Sequence, residues 1–372
     1  MAGTRGSGIS PVQQEYLDVL RSAMWGEVLP SLPKDLEGVL RIADQQKTRP
    51  QVLDALQKAG YEDLESLNLI YRNTSTHVKT NRNIARLVTL LRAAGIEPVL
   101  LKGQGVALNY PEPMLRECGD IDLYVGPELY DKAFELVRSQ ESVREMKSLT
   151  EKHSILVYKG SIVEIHRESA ITDSKRLNAR FQSIADKGLS QNLVPVVINE
   201  VPVNTPADSF NAFYLFYHFL THAVYGGLGL RQICDWTLFL HSRSGKLDTG
   251  EVGQALDSTG LRRAWQLYAS VAVDYLGLPA TEMPFYKAGL AGQGAKALGL
   301  IFEDGNFGQA MDFTKGRPKG LLSGKLFSMK KILNRFRTLY GLLADLRPLI
   351  FRVGMQYLFG GMGRVSEDSM KK

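Results

Sequence analysis

Gly119-Asp120-Ile121-Asp122-Leu123-Tyr124-Val125 sets two carboxylates one residue apart ahead of a β-rich tail. In an extended strand successive side chains alternate faces, so Asp120 and Asp122 point one way while Ile121 and Leu123 point into a core. Two acids brought to one spot repel each other unless a cation lies between them, and hard carboxylate oxygens on a short strand suit Mg2+ or Mn2+. An Asp-x-Asp also occurs on half-exposed strands whose acids simply face water, so the flanking sequence has to decide.

Upstream, Glu97-Pro98-Val99-Leu100-Leu101-Lys102-Gly103-Gln104-Gly105 reads as an apolar strand that ends in a lysine and two glycines before a short helix, Val106 to Tyr110. Glycines at such a junction let backbone N–H groups approach phosphate oxygens. The pattern is neither a full dinucleotide fingerprint nor a Walker loop, and it also suits a plain turn. Downstream, Ser154 to Tyr158 and Ile162 to His166 alternate around Lys159-Gly160 and read as a β-hairpin. There Glu164 and His166 share one face and Val163 and Ile165 the other, so a third carboxylate stands on a neighbouring strand.

The order of glycine turn, Asp-x-Asp strand and lone acid in an apolar strand resembles the DNA polymerase β-like nucleotidyltransferase superfamily. More closely, Leu101-Lys102-Gly103, Tyr110-Pro111, Arg116, Gly119-Asp120-Ile121-Asp122-Leu123 and Val163-Glu164-Ile165-His166 are similar to a bacterial nucleotidyltransferase family often found beside polysaccharide-synthesis genes. The likeness covers roughly residues 95 to 240. The chain departs from the broad superfamily at Gln104, where a second glycine or a serine is usual, and in a longer gap from there to Asp120.

The resemblance implies an α+β fold: a polymerase β-like core with a mixed sheet, flanked by helical regions. It implies that Asp120 and Asp122 bind metal, Mg2+ or Mn2+, and that Glu164 is a further ligand or the base for an acceptor hydroxyl. NTP is the implied substrate, its NMP group passing to a small-molecule or glycan-precursor acceptor. In-line attack on the α-phosphate needs charge neutralised on attacking and leaving oxygens, and two ions about 4 Å apart need a bridging carboxylate with a third acid nearby. Lys102, Gly103, Gln104, Arg116, Gly119 and His166 form the expected nucleotide side. Lys102 and Arg116 suit either contact with the departing pyrophosphate or a surface role, and His166 either touches substrate or caps its strand. Two rival functions stand beside this one: a toxin-like or regulatory enzyme that nucleotidylates protein or tRNA, and a non-catalytic scaffold in a membrane-associated polysaccharide assembly.

Composition agrees with an enzyme. The 372 residues are 44% hydrophobic and 23% charged, ordinary for a soluble globular chain of two or three domains. Cys118 and Cys234 lack paired spacing, so neither a disulfide framework nor a zinc site is expected. Met1 to Ser10 holds no apolar leader and no apolar run reaches about 18 residues, which gives a cytoplasmic expectation.

Four regions are expected: helical 1–94, the nucleotidyltransferase core 95–205, a helical domain 206–312 and a basic amphipathic tail 313–372. Helical spacing marks Gln13 to Trp25, Asp35 to Gln46, Leu64 to Ala94 (one helix, or two joined near Thr74-Ser75) and Pro127 to Gln140; Val194 to Val203 is β-like. Thr205-Pro206-Ala207-Asp208 predicts a capped helix start, with Thr205 as N-cap. On that helix His218 and His222 stand four apart without the glutamate of a zinc protease helix. One of the histidines is expected to pack or to face the cleft, and Arg231 and Asp235, also four apart, read as a structural ion pair or as acceptor or nucleotide binding, which makes all four candidate acceptor-side residues.

Residues 313–372 carry thirteen Lys/Arg against three Asp/Glu, a net +10, while the rest of the chain is at −4. Within Leu326 to Leu346 a polar stripe of Lys331, Asn334, Arg335, Thr338 and Asp345 opposes an apolar one of Ile332, Phe336, Leu339, Leu343 and Leu346. An apolar helix, Leu349 to Phe359, is expected after Pro348. A basic amphipathic helix beside an apolar one reads as contact with a membrane surface through residues 326–360, at the inner membrane face, or as a helix packed on its own domain with cations outward. Nucleic acid is the less favoured partner, because no recognisable module accompanies the charge.

Overall fold

A computed structural model gives the structure over residues 8–146, 153–172, 175–311, 318 and 321–359. Residues 1–7, on which the expectation about a leader mainly falls, and tail residues 312–317, 319–320 and 360–372 lie outside the described residues. In chain order the main elements are α1 (Pro11–Trp25), α2 (Leu36–Gln46), α3 (Arg49–Lys58), α4 (Leu64–Ala93), β1 (Val99–Leu100), α5 (Gln104–Ala107), β2 (Ile121–Tyr124) and α6 (Tyr130–Arg138). There follow β3 (Val143–Met146), β4 (His153–Tyr158), β5 (Ser161–His166), α7 (Lys175–Ser190), β6 (Val194–Ile198) and β7 (Val201–Thr205). Helices α8 (Asp208–Tyr225), α9 (Leu230–Ser242), α10 (Thr249–Thr259), α11 (Arg262–Ser270), α12 (Ala291–Asp304), α13 (Leu321–Leu342) and α14 (Arg347–Phe359) are the remaining main elements of the described residues.

The described residues form two compact units, one within 60–215 and 238–259, the other within 8–59, 216–237 and 260–359. The first holds a mixed seven-stranded sheet in the order β3-β4-β5-β2-β1-β7-β6. Strands β2 and β5 are parallel, with Ile121 opposite Val163, Asp122 opposite Glu164 and Leu123 opposite Ile165. Hairpin β4–β5 turns at Lys159 (φ 47°) and Gly160 (φ 74°), the left-handed pair that a two-residue turn between twisted strands demands. The β-like stretch 194–203 is two strands, because Asn199 (φ 48°) and Glu200 (φ 65°) make the same kind of turn.

One face of the sheet is sealed by α4 and α6. Ile84, Leu87, Val88 and Leu91 of α4 pack with Ile121, Leu123, Val163 and Ile165, all fully or almost fully buried. The opposite strand positions, Asp122 and Glu164 among them, are thereby turned away from this layer. Helix α4 runs unbroken through Thr74-Ser75, the single-helix alternative. Gly188 of α7 lies so close to Phe210 that an added Cβ would stand 2.2 Å from the ring, which holds α7 against the start of α8.

Thr205 is not a helix cap. It is the last residue of β7, where its hydroxyl donates to the Val194 carbonyl (2.8 Å), and α8 begins at Asp208, whose carboxylate accepts from Arg243 Nε (2.8 Å). Strand pairing supplied a partner that the local capping pattern could not reveal.

The second unit is helical. Rings of Phe216, Phe219, Trp236, Trp265 and Tyr268 interlock at its centre, with the two indoles 4.7 Å apart and perpendicular. Helix α13 follows the expected amphipathic pattern, with Ile332, Phe336 and Leu339 buried and Leu343 buried just past its end, and α14, expected from Leu349, begins at Arg347 with Pro348 in its first turn, where a missing N–H costs nothing. Arg335 breaks it. Placed on the polar stripe by sequence, it is 5% exposed, its Nε and Nη2 donate to Asp304 at 2.9 Å, and Nη2 also reaches the Ala223 carbonyl at 3.0 Å. Losing one member of a buried pair strands the other charge, so Arg335→Ala should lower unfolding stability by about 3–5 kcal/mol, read as a fall in the urea midpoint at constant m-value.

Candidate active site

Asp122 and Glu164 sit where strand alternation places them. Ile121 and Leu123 are buried in the apolar layer, Asp122 lies on the other face directly beside Glu164 across the parallel pair, and Asp120 stands just before β2. One carboxylate oxygen from each of Asp120, Asp122 and Glu164 can be chosen so that all three lie within 4.8 Å of one another. Exposure falls from Asp120 (38%) through Glu164 (15%) to Asp122 (1%).

Two cationic or polar side chains hold this charge in place. Lys102 Nζ is 3.0 Å from Asp122 Oδ1 and 4.0 Å from Asp120 Oδ2. His166 Nε2 is 2.9 Å from Asp122 Oδ1 and 3.2 Å from Glu164 Oε2, with the ring fully buried. Burial opposes the charge of Lys102, yet Asp120 and Asp122 outweigh it and hold the ammonium pKa above its ordinary value. Burial likewise pushes the carboxylates up, but Lys102 and the His166 hydrogen bond bring Asp122 below its usual range, and chiefly His166 brings Glu164 down to about 2. Both acids are therefore anionic at neutral pH.

Asp122 Oδ2 is buried and has no hydrogen-bond partner. A solvent-excluded, negatively charged oxygen without a donor, beside two more carboxylates, is a donor set that fits a hard divalent cation.

The loop from Lys102 to Cys118 is fixed by polar residues of α4. Gln104 Nε2 donates to His77 Nδ1 and to Asn81 Oδ1, both at 2.8 Å, while Cys118 Sγ approaches Gln104 Oε1 at 3.6 Å. With Nδ1 accepting, His77 carries its proton on Nε2 and donates it to the Arg116 carbonyl. Burial, which outweighs that bond, lowers the His77 pKa and keeps the ring neutral. Asn73 Nδ2 adds a bond to the Met114 carbonyl (2.7 Å). Gly103 makes the bend itself: its φ of 59° is left-handed, and its Cα faces the Asp120 carbonyl, 3.4 Å from where a Cβ would stand. The helix that follows is only the four residues of α5, earlier in the chain than the expected Val106 to Tyr110.

Lys102, Gly103, Asp120, Asp122, Glu164 and His166 are thus brought together. Gln104 and Arg116 are buried, and the Gln104 amide is engaged with α4. Gly119 lies next to Asp120, with no atom within 4 Å of its Cβ position. His218, His222, Arg231 and Asp235 belong to the helical unit, where His218 Nε2 and His222 Nε2 are 3.1 Å apart and His222 packs edge-on against Phe307.

Two residues at the site escaped the sequence reading. His153 Nε2 is 3.5 Å from Glu164 Oε2, directly across the hairpin from His166. A two-residue turn at 159–160 fixes that register, so the signal was present in the sequence. Tyr214 of α8 faces the cluster's charge: burial and then, beyond the opposing pull of Lys102, the carboxylates raise its pKa. Only tertiary packing brings it there.

The matched family model, described as "Uncharacterised nucleotidyltransferase", spans residues 33–277, well over half of the chain, and the chain belongs to that family. It is accordingly a nucleotidyltransferase. A solved structure, the crystal structure of an antigenic nucleotidyltransferase-like protein from Paracoccidioides brasiliensis, is 16% identical with a TM-score of 0.33; the match covers 54% of this chain and 94% of that one. Comparison with curated proteins gives no match.

Glu164 supplies a pH test. Its pKa is about 2 in the folded chain against 4.5 for the free group, so between those values the unfolded chain binds more protons and stability falls as pH drops from about 4.5 towards 2. Glu164→Gln should flatten that acid limb, as followed by thermal melts across pH 2–6.

Proposed function

We propose that Asp120, Asp122 and Glu164 hold the divalent cation, Mg2+ or Mn2+, of a nucleotidyl transfer from NTP to a hydroxyl or phosphate of a small-molecule or glycan-precursor acceptor, on a polymerase β-like core. The observation that carries this reading is the convergence of three carboxylates with a buried, unpartnered Asp122 oxygen. When bound, the cation would neutralise charge on the phosphate oxygens. Glu164 fits a ligand better than a base: a carboxylate with a pKa of about 2 is a weak acceptor for a hydroxyl proton near neutral pH. Lys102 is positioned by its two aspartates to stay charged beside the reacting phosphates, where a cation stabilises developing negative charge. Gly103 and Gly119 flank Asp120 without side chains, a geometry suited to close approach of a phosphate to the backbone. Gln104 serves this loop by anchoring it on α4. Acceptor-side roles for His218, His222, Arg231 and Asp235 rest on sequence alone.

Calorimetry with each NTP should give metal-dependent binding to the wild type and loss of it, by at least tenfold, in Asp122→Asn. Absence of metal-dependent NTP binding by the wild type would defeat the reading. A screen of labelled NTPs against sugar phosphates, and separately against protein and tRNA, separates the small-acceptor reading from the macromolecular one.

A membrane-surface partner is also proposed, on one observation. Leu333 and Phe351 line an apolar groove of about 280 Å3 between α13 and α14 and are 51% and 62% exposed, with Phe359 at 77%. Exposed Lys330, Arg337 and Arg352 lie on the same two helices, the combination that favours anionic bilayers. Among the described residues no helix is long and apolar enough to cross a membrane. Co-sedimentation should show binding to anionic vesicles, little to neutral ones, and a several-fold loss in the double variant Leu333→Asp, Phe351→Asp.

A further inference from the structure

Beside the three acids lies a second group of ligand atoms with different chemistry. His153, Glu164 and His166 each offer one ligand atom within 4.8 Å of the others. Strand register makes the arrangement: His153 and His166 are directly opposed across the β4–β5 hairpin, and Glu164 is two residues from His166 on the same face. The imidazoles lie 4.9 Å apart by ring centres, and their Nε2 atoms stand 3.5 Å (His153) and 3.2 Å (His166) from the same oxygen, Glu164 Oε2. Ligands bound at about 2.0–2.2 Å with tetrahedral to octahedral angles stand roughly 3.0–3.5 Å apart, so both distances suit neighbouring positions around one ion. His166 is fully buried and its Nδ1 has no partner. Its polar contacts are those that Nε2 makes with Asp122 and Glu164; to ligate through Nε2 the ring gives up its hydrogen bond to Asp122 and carries its proton on Nδ1.

We propose that His153, Glu164 and His166 form a second cation site, adjoining the three-acid site and sharing Glu164 with it, that selects a borderline transition ion such as Zn2+ or Fe2+ over Mg2+. Two nitrogen ligands with one carboxylate suit first-row transition ions, whereas Mg2+ prefers oxygen and retains its waters. The catalytic cluster then has two unlike positions, an oxygen-only one at Asp120 and a nitrogen-rich one at His153. The inference rests on the reading of Glu164 as a ligand, and its test needs no nucleotide.

The probe is Co2+, whose visible ligand-field absorption reports coordination directly. Metal-stripped full-length protein should bind one equivalent with such a band, displaced by Zn2+ and not by a large excess of Mg2+. His153→Ala and His153→Gln should each weaken Co2+ binding at least tenfold, while Asp120→Asn keeps the band. Circular dichroism melts confirm that each variant is folded, and the second substitution at position 153 serves if the first is not. An unchanged band in the folded His153 variants, loss of the band in Asp120→Asn alone, or no Co2+ binding by the wild type would each overturn the site. A Co2+ site in a protein that binds no NTP would instead defeat the nucleotidyl reading and leave this one standing.

Discussion

The buried carboxylate of Asp122 is the constraint around which the sheet unit is arranged. An isolated charge taken out of water costs several kcal/mol even after relaxation, and Asp122 is 1% exposed with Glu164 beside it in register. Compensation comes from Lys102 at 3.0 Å and His166 at 2.9 Å, both accepted by the same oxygen, Oδ1. Register protects the arrangement. Ile121, Leu123, Val163 and Ile165 fill the opposite layer completely, so a one-residue slip would bury the acids in apolar surroundings and expose that layer. The hydrophobic core and the charge cluster are two faces of the same strands.

Lys102 is only as well placed as the loop it begins. That loop leaves β1 through a left-handed glycine and returns to β2 past a run of 3-10 helix at Pro113–Leu115, with α4 serving as its template. His77, Asn81 and Gln104 exchange hydrogen bonds in which the Gln104 amide uses both donors and its acceptor, so the network has one self-consistent assignment of protons. Buried networks of this kind rigidify when every member is satisfied. The lysine ammonium and the carboxylates thus meet through two separately anchored segments, a strand pair fixed by its core and a loop fixed by a helix.

Much of this was legible in local pattern. Alternation put Asp122 on the face away from the core, with Asp120 just ahead of the strand converging on it, and Lys159-Gly160 marked a hairpin whose register follows from its two-residue turn. The same arithmetic places His153 opposite His166, one residue ahead of the alternating run that starts at Ser154. Arg335 and Thr205 show where pattern misleads. A helical wheel assigns Arg335 to water because it does not know that Asp304 lies opposite, and a capping motif claims Thr205 because pairing with β6 carries β7 two residues past the β-like stretch.

Sequence by itself determined the alternation of strands, the apolar stripes of the helices, the three acids and the basic charge of the tail, because each depends on spacing within a few residues. Tertiary structure alone decided that Asp122 and Glu164 are nearest neighbours across a parallel pair, that Lys102 and His166 share the charge of one carboxylate, that Gln104 is bound to α4 and that Tyr214 faces the cluster. Those are meetings of segments separated by tens of residues or more, and their energies come from burial and dielectric environment, which no local spacing encodes.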